Sequence, residues 1–266
     1  MKITANNHYT DAYSGFSVTS DAKAGQTIAD IETGDFSTAY TSNGIASTFV
    51  IDKTFSSAFT CRYVAIAGHN FGALGGTLTL VIDTVTKGTT TFTAGDSNHV
   101  ILFHFASLSA TNIKLTFTKG TSTDACTVTY VAAGDLLDSE FSIPTNEESG
   151  FSKVWRTRSK KLRATLSDSG APVAYIRQSI SRNATLSFSS MEKSVIDSAL
   201  WNSFLGLIYD TGDFFIKEED GDTTGVSDNP KSSYLCFDAD AAPPRTHGST
   251  RALVQQTIKY QAYTGL

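Results

Sequence analysis

Cysteine is scarce in this chain of 266 residues: Cys61, Cys126 and Cys236 are far apart and odd in number. That spacing argues against a disulfide framework and against Cys-x-x-Cys metal binding, and leaves buried free thiols as the expectation. Charge is low as well, at 18% of residues, and the formal net charge of −5 gives no reason to expect a nucleic-acid partner. No apolar run approaches the eighteen or so residues that a membrane-spanning helix needs. The first residues, Met1 to Asn7, turn polar too early for a signal peptide, so folding in a reducing cytoplasm is expected. Catalytic signatures are missing too. There is no Gly-x-Ser-x-Gly elbow, no His-Glu-x-x-His and no phosphate-cradling glycine loop with its lysine, so the chain is not expected to be an enzyme.

Proline is absent before Pro144, and all five prolines lie from there on. The acidic, turn-rich stretch from Asp135 to Gly150 precedes a change in charge balance. Residues 1–150 carry seven Lys/Arg against fourteen Asp/Glu, whereas residues 151–266 carry fourteen against twelve. These shifts predict two domains, 1–143 and 144–266.

What is present is strand chemistry. Hydrophobic residues make up 40% and aromatics 11%, with Thr, Ser and Gly filling the place of charge. Thr77-Leu78-Thr79-Leu80-Val81-Ile82 and Ile113-Lys114-Leu115-Thr116-Phe117-Thr118 alternate cleanly, one apolar face against one of Thr or Lys. Further strands are predicted at 46–51, 62–67, 89–93, 100–105 and 126–131, with turn clusters between them. Strands at roughly ten-residue spacing predict an antiparallel, jelly-roll-like β-sandwich for the first half. The second half reads as a small β-barrel or sheet with one helix over about 190–206. Ser190 is its candidate cap, Val195, Ile196, Ala199, Leu200, Phe204 and Leu205 its core stripe, and Gly206 its end. The fold class is therefore mainly β.

The segment Arg62-Tyr63-Val64-Ala65-Ile66-Ala67-Gly68-His69-Asn70-Phe71-Gly72 is the most informative. Its apolar run suits a strand buried on both faces. It stops at a turn with a permissive glycine at either end and polar side chains between. His69, Asn70 and Phe71 are candidate contacts for a glycan or an interface, polar hydrogen bonding beside an aromatic face. The alternative is that they tie the turn together. The five histidines do not reach ligand spacing, and the acidic loop Glu218 to Asp222 lacks the full calcium-loop pattern, so neither metal nor cofactor is expected. The basic run Lys153, Trp155, Arg156, Arg158, Lys160, Lys161 and Arg163 is a candidate interface, complementary to an acidic neighbour such as the first half of an adjacent copy.

Arg62–Gly72 with Gly75-Gly76-Thr77-Leu78 after it resembles sandwich domains of structural proteins of tailed bacteriophages, which are similar in layout to discoidin-like, galactose-binding-like jelly rolls. Asn183 to Phe188, the helix through Trp201 and Phe204, and Gly212 to Ile216 also resemble tail and baseplate proteins, in which strand, helix and strand help build a ring-forming barrel. The order departs from the better-known distal tail proteins, since the sandwich comes first here. The resemblance implies a virion structural protein of the tail or baseplate, homo-oligomeric, with other tail proteins as partners. The competing expectation is a non-catalytic carbohydrate-binding module for a host glycan. An enzyme acting on polysaccharide is the third reading, with the least behind it.

Overall fold

The computed structural model describes residues 2–18, 23–32, 37–137, 156–157, 163–166, 172–176, 182–192, 197–217, 233–241, 245–247 and 253–263. The fold is mainly β with antiparallel sheets throughout. In the first half the strands are β1 (Lys2–Thr4), β2 (Tyr13–Val18), β3 (Tyr40–Thr41), β4 (Thr48–Ala67) and β5 (Gly76–Ile82). They continue as β6 (Val85–Phe92), β7 (Ile101–Lys119), β8 (Thr127–Val128), β9 (Tyr130–Gly134) and β10 (Leu136–Leu137). Two single-turn helices intervene, α1 (Ala29–Glu32) and α2 (Phe71–Leu74).

The sandwich is organised by β4 and β7, of 20 and 19 residues, paired from Thr48↔Thr118 to Ile66↔Ile101. Each was expected as two short strands, because Ser56-Ser57-Ala58 and Ala106-Ser107 break the apolar alternation. Both in fact run through that break, and the ladder absorbs it as irregularities between Thr54 and Phe59 and between Cys61 and Tyr63. The irregularity divides the strand pair into two stretches that take different neighbours. The outer end of the pair joins β2, β5 and β6 in the order β2-β4-β7-β5-β6, and its inner end adds β9 beside β4. Phe49, Ile51, Leu78, Leu80, Leu115 and Phe117 fill the space between the layers, together with Val64, Ile66, Ile101 and Phe103.

In the second half the strands are β11 (Arg156–Thr157), β12 (Arg163–Leu166), β13 (Pro172–Ile176), β14 (Arg182–Glu192) and β15 (Phe214–Lys217). After these come β16 (Ser233–Ala241), β17 (Arg245–His247) and β18 (Leu253–Tyr263). The large sheet has the order β10-β1-β15-β16-β18-β14-β11, with β17 also on β18. The first strand of the chain thus lies in the sheet of its second half, Ile3 pairing with Ile216 on one side and Leu137 on the other. The sheets therefore do not divide at residue 143: Ile3, Ala5 and Leu137 are core residues of the second half.

The helix also differs from expectation. Residues 190–192 continue β14, Met191 pairing with Val254 and Glu192 with Leu253 across a bulge, so Ser190 lies within a strand and not at the start of a helix. The helix is α3 (Ala199–Asp210), and the Oγ of Ser198 accepts the Trp201 N–H at 3.2 Å as its N-cap. It passes through Gly206, and Trp201, Phe204 and Ile208 form its buried stripe. Leu200 and Leu205 flank that stripe, while Val195 and Ile196 lie outside the described residues. Trp201, Phe204, Phe214 and Tyr260 follow one another edge to face at 5.4–5.5 Å, locking the helix onto the sheet.

The two halves meet on an apolar seam. Tyr63, Ala65, Ala67, Val100, Leu102, Tyr130 and Ala132 line one side, and Leu136, Phe215 and Leu235 the other. Here lies the reason for the unbroken run Tyr63–Ala67, each residue of which is wholly buried. Val64 and Ile66 face the sandwich core while Tyr63, Ala65 and Ala67 face the second half. A period-two strand with an apolar layer on both sides has no position left for a polar residue.

Candidate functional site

The loop following that strand is built inward. Gly68 takes φ +64°, the left-handed conformation that lets the strand turn. Gly72 packs so closely on the carbonyls of Asp96 and Ser97 that a Cβ would collide with backbone oxygen. His69 is 5% exposed and Phe71 2%. The Nε2–H of His69 donates to the carbonyl of His99 at 2.7 Å, and its Nδ1 accepts the Phe71 N–H at 3.2 Å. The imidazole stacks on Phe71 at 4.6 Å, and Phe71 stacks on Phe117 at 4.2 Å. Asn70 donates from Nδ2 to the Ala125 carbonyl at 2.8 Å and accepts the Thr127 N–H on Oδ1 at 2.9 Å. All three candidate contacts are committed to the fold, and of the two expectations for this loop the geometry has the character of the tie. The hydrogen-bonding capacity that suggested a ligand is spent on backbone groups, that of Asn70 on the 125–127 segment and that of His69 on His99 and Phe71.

Of the basic run, Arg156 lies in β11 and Arg163 in β12, while Lys153, Trp155, Arg158, Lys160 and Lys161 lie outside the described residues. The acidic loop Glu218 to Asp222 lies outside them too. Among the described residues no group of three or more His, Cys, Asp or Glu side chains could hold a metal ion. The thiols are buried: desolvation pushes Cys61 up to about 12 and holds Cys236 well above its ordinary value, so neither is a thiolate near neutral pH.

The geometry places a concave site elsewhere, between the N-terminal loop and the bend of β4. An open groove of about 620 Å³ is lined by Asn6, His8, Asp11, Ser56, Phe59 and Asp135, with Ala12, Ser57, Ala58 and Thr60 completing it. The loop forms because Asn6 and Asn7 substitute side-chain carbonyls for a ladder. Asn6 Oδ1 accepts the Asp135 N–H at 2.7 Å, and Asn7 Oδ1 accepts the Tyr9 and Ala133 N–H groups at 3.0 and 3.2 Å. Gly134 permits this, since a Cβ there would strike Asn6. On one wall His8 Nδ1 meets Asp11 Oδ2 at 2.8 Å, and the imidazole lies over Phe59 at 5.0 Å. On the other, Ser56, Ser57 and Thr60 are exposed where β4 bends. At the floor Asp135 accepts the Leu136 N–H at 2.8 Å, with the Arg62 guanidinium 3.6 Å away. Hydroxyls, an amide, two carboxylates and an aromatic pair thus converge on a space that suits a small polar ligand.

Sequence reasoning missed this groove. The signals were there, in the polar run Asn6-Asn7-His8 with Asp11 and in Ser56-Ser57-Ala58 interrupting an apolar strand, but they lie about fifty residues apart and only the strand pairing unites them.

No family model matches the chain, and no curated protein matches it. Among solved structures it is similar to the CBM32 of AlyQ in complex with 4,5-unsaturated mannuronic acid. That pair is 18% identical, covers 46% of this chain and 95% of the other, and has a TM-score of 0.37. Chitosan-binding module 1 from a chitosanase/glucanase of Paenibacillus sp. IK-5 is 17% identical over 49% of this chain and 99% of its own, with a TM-score of 0.39. The family 32 CBM from C. perfringens NanJ, in complex with galactose, is 16% identical over 45% and 91%, with a TM-score of 0.36. At TM-scores below 0.5 these likenesses assign this chain neither a ligand nor a role.

Proposed function

We propose that the chain is a non-catalytic binding module that takes a glycan in the groove between residues 6–12 and the 56–60 bend. The observation that carries this reading is the groove itself: about 620 Å³, open to solvent, with the exposed hydroxyls of Ser56, Ser57 and Thr60 on one wall and, on the other, the His8 imidazole seated over the buried Phe59. Sugars are bound by that combination, hydrogen bonds to ring hydroxyls and an apolar contact to a ring face. Both groove carboxylates are already engaged, Asp11 by His8 and Asp135 by Arg62 and the Leu136 amide. The test is a glycan array probed with the parent protein and with a His8→Ala/Asp11→Ala variant. Binding by the parent, lost in the variant, is the expected result. An array without binding, or a variant that binds like the parent, overturns the reading.

A second reading concerns the setting. The succession of β14, α3 and β15 has the strand, helix and strand order that the tail-protein resemblance implies for a ring-forming barrel. We keep with it a homo-oligomeric role in a phage tail or baseplate, assembled in a bacterial cytoplasm, with other tail proteins as partners and the groove module turned toward a host glycan. Mass measurement and electron micrographs of the purified protein test it, and a strictly monomeric species counts against it.

A further inference from the structure

The inward-facing positions of β4 before its bend are Phe49, Ile51, Lys53 and Phe55, an apolar row interrupted by one cation. Lys53 is wholly buried. Its ammonium donates to the main-chain oxygen of Tyr9, to that of Asp11 at 3.2 Å and to Glu32 Oε1 at 2.6 Å. The rings of Tyr9, Phe55 and Tyr13 stand 4.8, 4.9 and 5.1 Å from Nζ. An ammonium in such a place is unfavourable unless its donors are met, and here carbonyls, a carboxylate and aromatic faces meet them.

What Lys53 holds is informative. Tyr9 and Asp11 belong to the loop that forms one wall of the groove, and the opposite wall begins at Ser56, three residues further along the strand. The same side chains continue beneath the groove. Phe55 meets Tyr9 edge to face at 6.1 Å and Phe59 at 4.8 Å, and Phe59 carries His8. We propose that Lys53 is the positioning residue of the groove, its buried ammonium setting the distance between the 8–12 loop and the 56–60 bend. The consequence for binding rests on the glycan reading above; the positioning itself is measurable without a ligand.

The experiment compares the full-length parent with Lys53→Met by amide hydrogen exchange. The amides of His8, Tyr9 and Asp11, bonded to Ala133 O, Asn7 Oδ1 and His8 O, report on the wall. Those of Leu80 and Leu115, in the β5–β7 ladder, report on the sandwich. The wall amides are expected to exchange on the order of ten- to a hundredfold faster in the variant, with the ladder amides far less affected. In Lys53→Ala, n-propylammonium is expected to restore much of the protection, since it returns the deleted ammonium, whereas the same concentration of sodium is not. Should Lys53→Met fail to fold, Glu32→Gln supplies the comparison, with a loss of a few-fold confined to the same amides. Wall exchange unchanged, or accelerated equally with the ladder, overturns the proposal. A parent that binds no glycan while the wall loosens as described removes the glycan reading and leaves the positioning role standing.

Discussion

Asn70→Ala tests whether the Gly68–Gly72 turn serves the fold. The substitution deletes two hydrogen bonds, Nδ2 to the Ala125 carbonyl at 2.8 Å and the Thr127 N–H to Oδ1 at 2.9 Å. Each bond contributes about 0.5–1.5 kcal/mol net, and a buried partner left without a substitute costs more than the bond was worth. Asn70 is half-buried, so water reaches part of the site and the larger penalties do not apply in full. The expected loss is about 2 kcal/mol, which for a chain of this size lowers the melting temperature by about 4–8 °C. Urea unfolding followed by circular dichroism suits the measurement, because the strands of the sandwich on which the turn packs contribute to the signal directly, whereas Trp201 lies in the second core. A midpoint shift without a change in slope is the mark of lost stability alone. A variant within about 0.5 kcal/mol of the parent refutes the argument, since bonds of this length to backbone groups cannot then be holding the turn. A glycan affinity lost without any loss of stability returns Asn70 to the list of ligand contacts.

Two further results are expected. In the β5–β6 hairpin Asp83 and Thr84 occupy φ +45° and +75°, and a β-branched residue is strained there. Thr84→Gly is therefore expected to stabilise the protein by about 0.5–1 kcal/mol in thermal melts, relief of strain outweighing the added freedom of the unfolded chain, and a destabilised variant would count against it. Burial pushes the Asp213 carboxyl up from 3.8 to about 6, so the folded chain holds this proton more tightly than the unfolded one. The stability it contributes is complete below about pH 4 and declines as pH rises to about 6. The loss is on the order of 1–2 kcal/mol once solvent screening is allowed for. Asp213→Asn should flatten that part of the stability–pH curve, and a curve parallel to the parent's would exclude the assignment.

The alternating sequences of β5 and of the outer part of β7 determined by themselves that these segments are strands, and which face is inward. A period of two survives any tertiary context that keeps one face wet. The unbroken Tyr63–Ala67 run likewise announced a strand buried on both sides, and Cys61, Cys126 and Cys236 are all buried free thiols, as their scarcity and spacing implied. Sequence could not say what covers the second face, because Phe215 and Leu235 are some 150 residues away and nothing local marks them as partners. It also misplaced the helix, since a bulged β14 and a helix both tolerate the polar stretch at Ser189–Ser190, and pairing with β18 decided between them. The His69–Phe71 turn was legible as a special structure but not as an inward one. Whether a polar side chain meets solvent or a backbone carbonyl depends on where the 125–127 segment runs. The groove was decided entirely by tertiary structure: Asn6 to Asp11, Ser56 to Thr60 and Asp135 border one space only because the chain fold carries the N-terminal loop past β4 and β9. Local chemistry determined the strands, and long-range pairing decided which side chains face one another across open space.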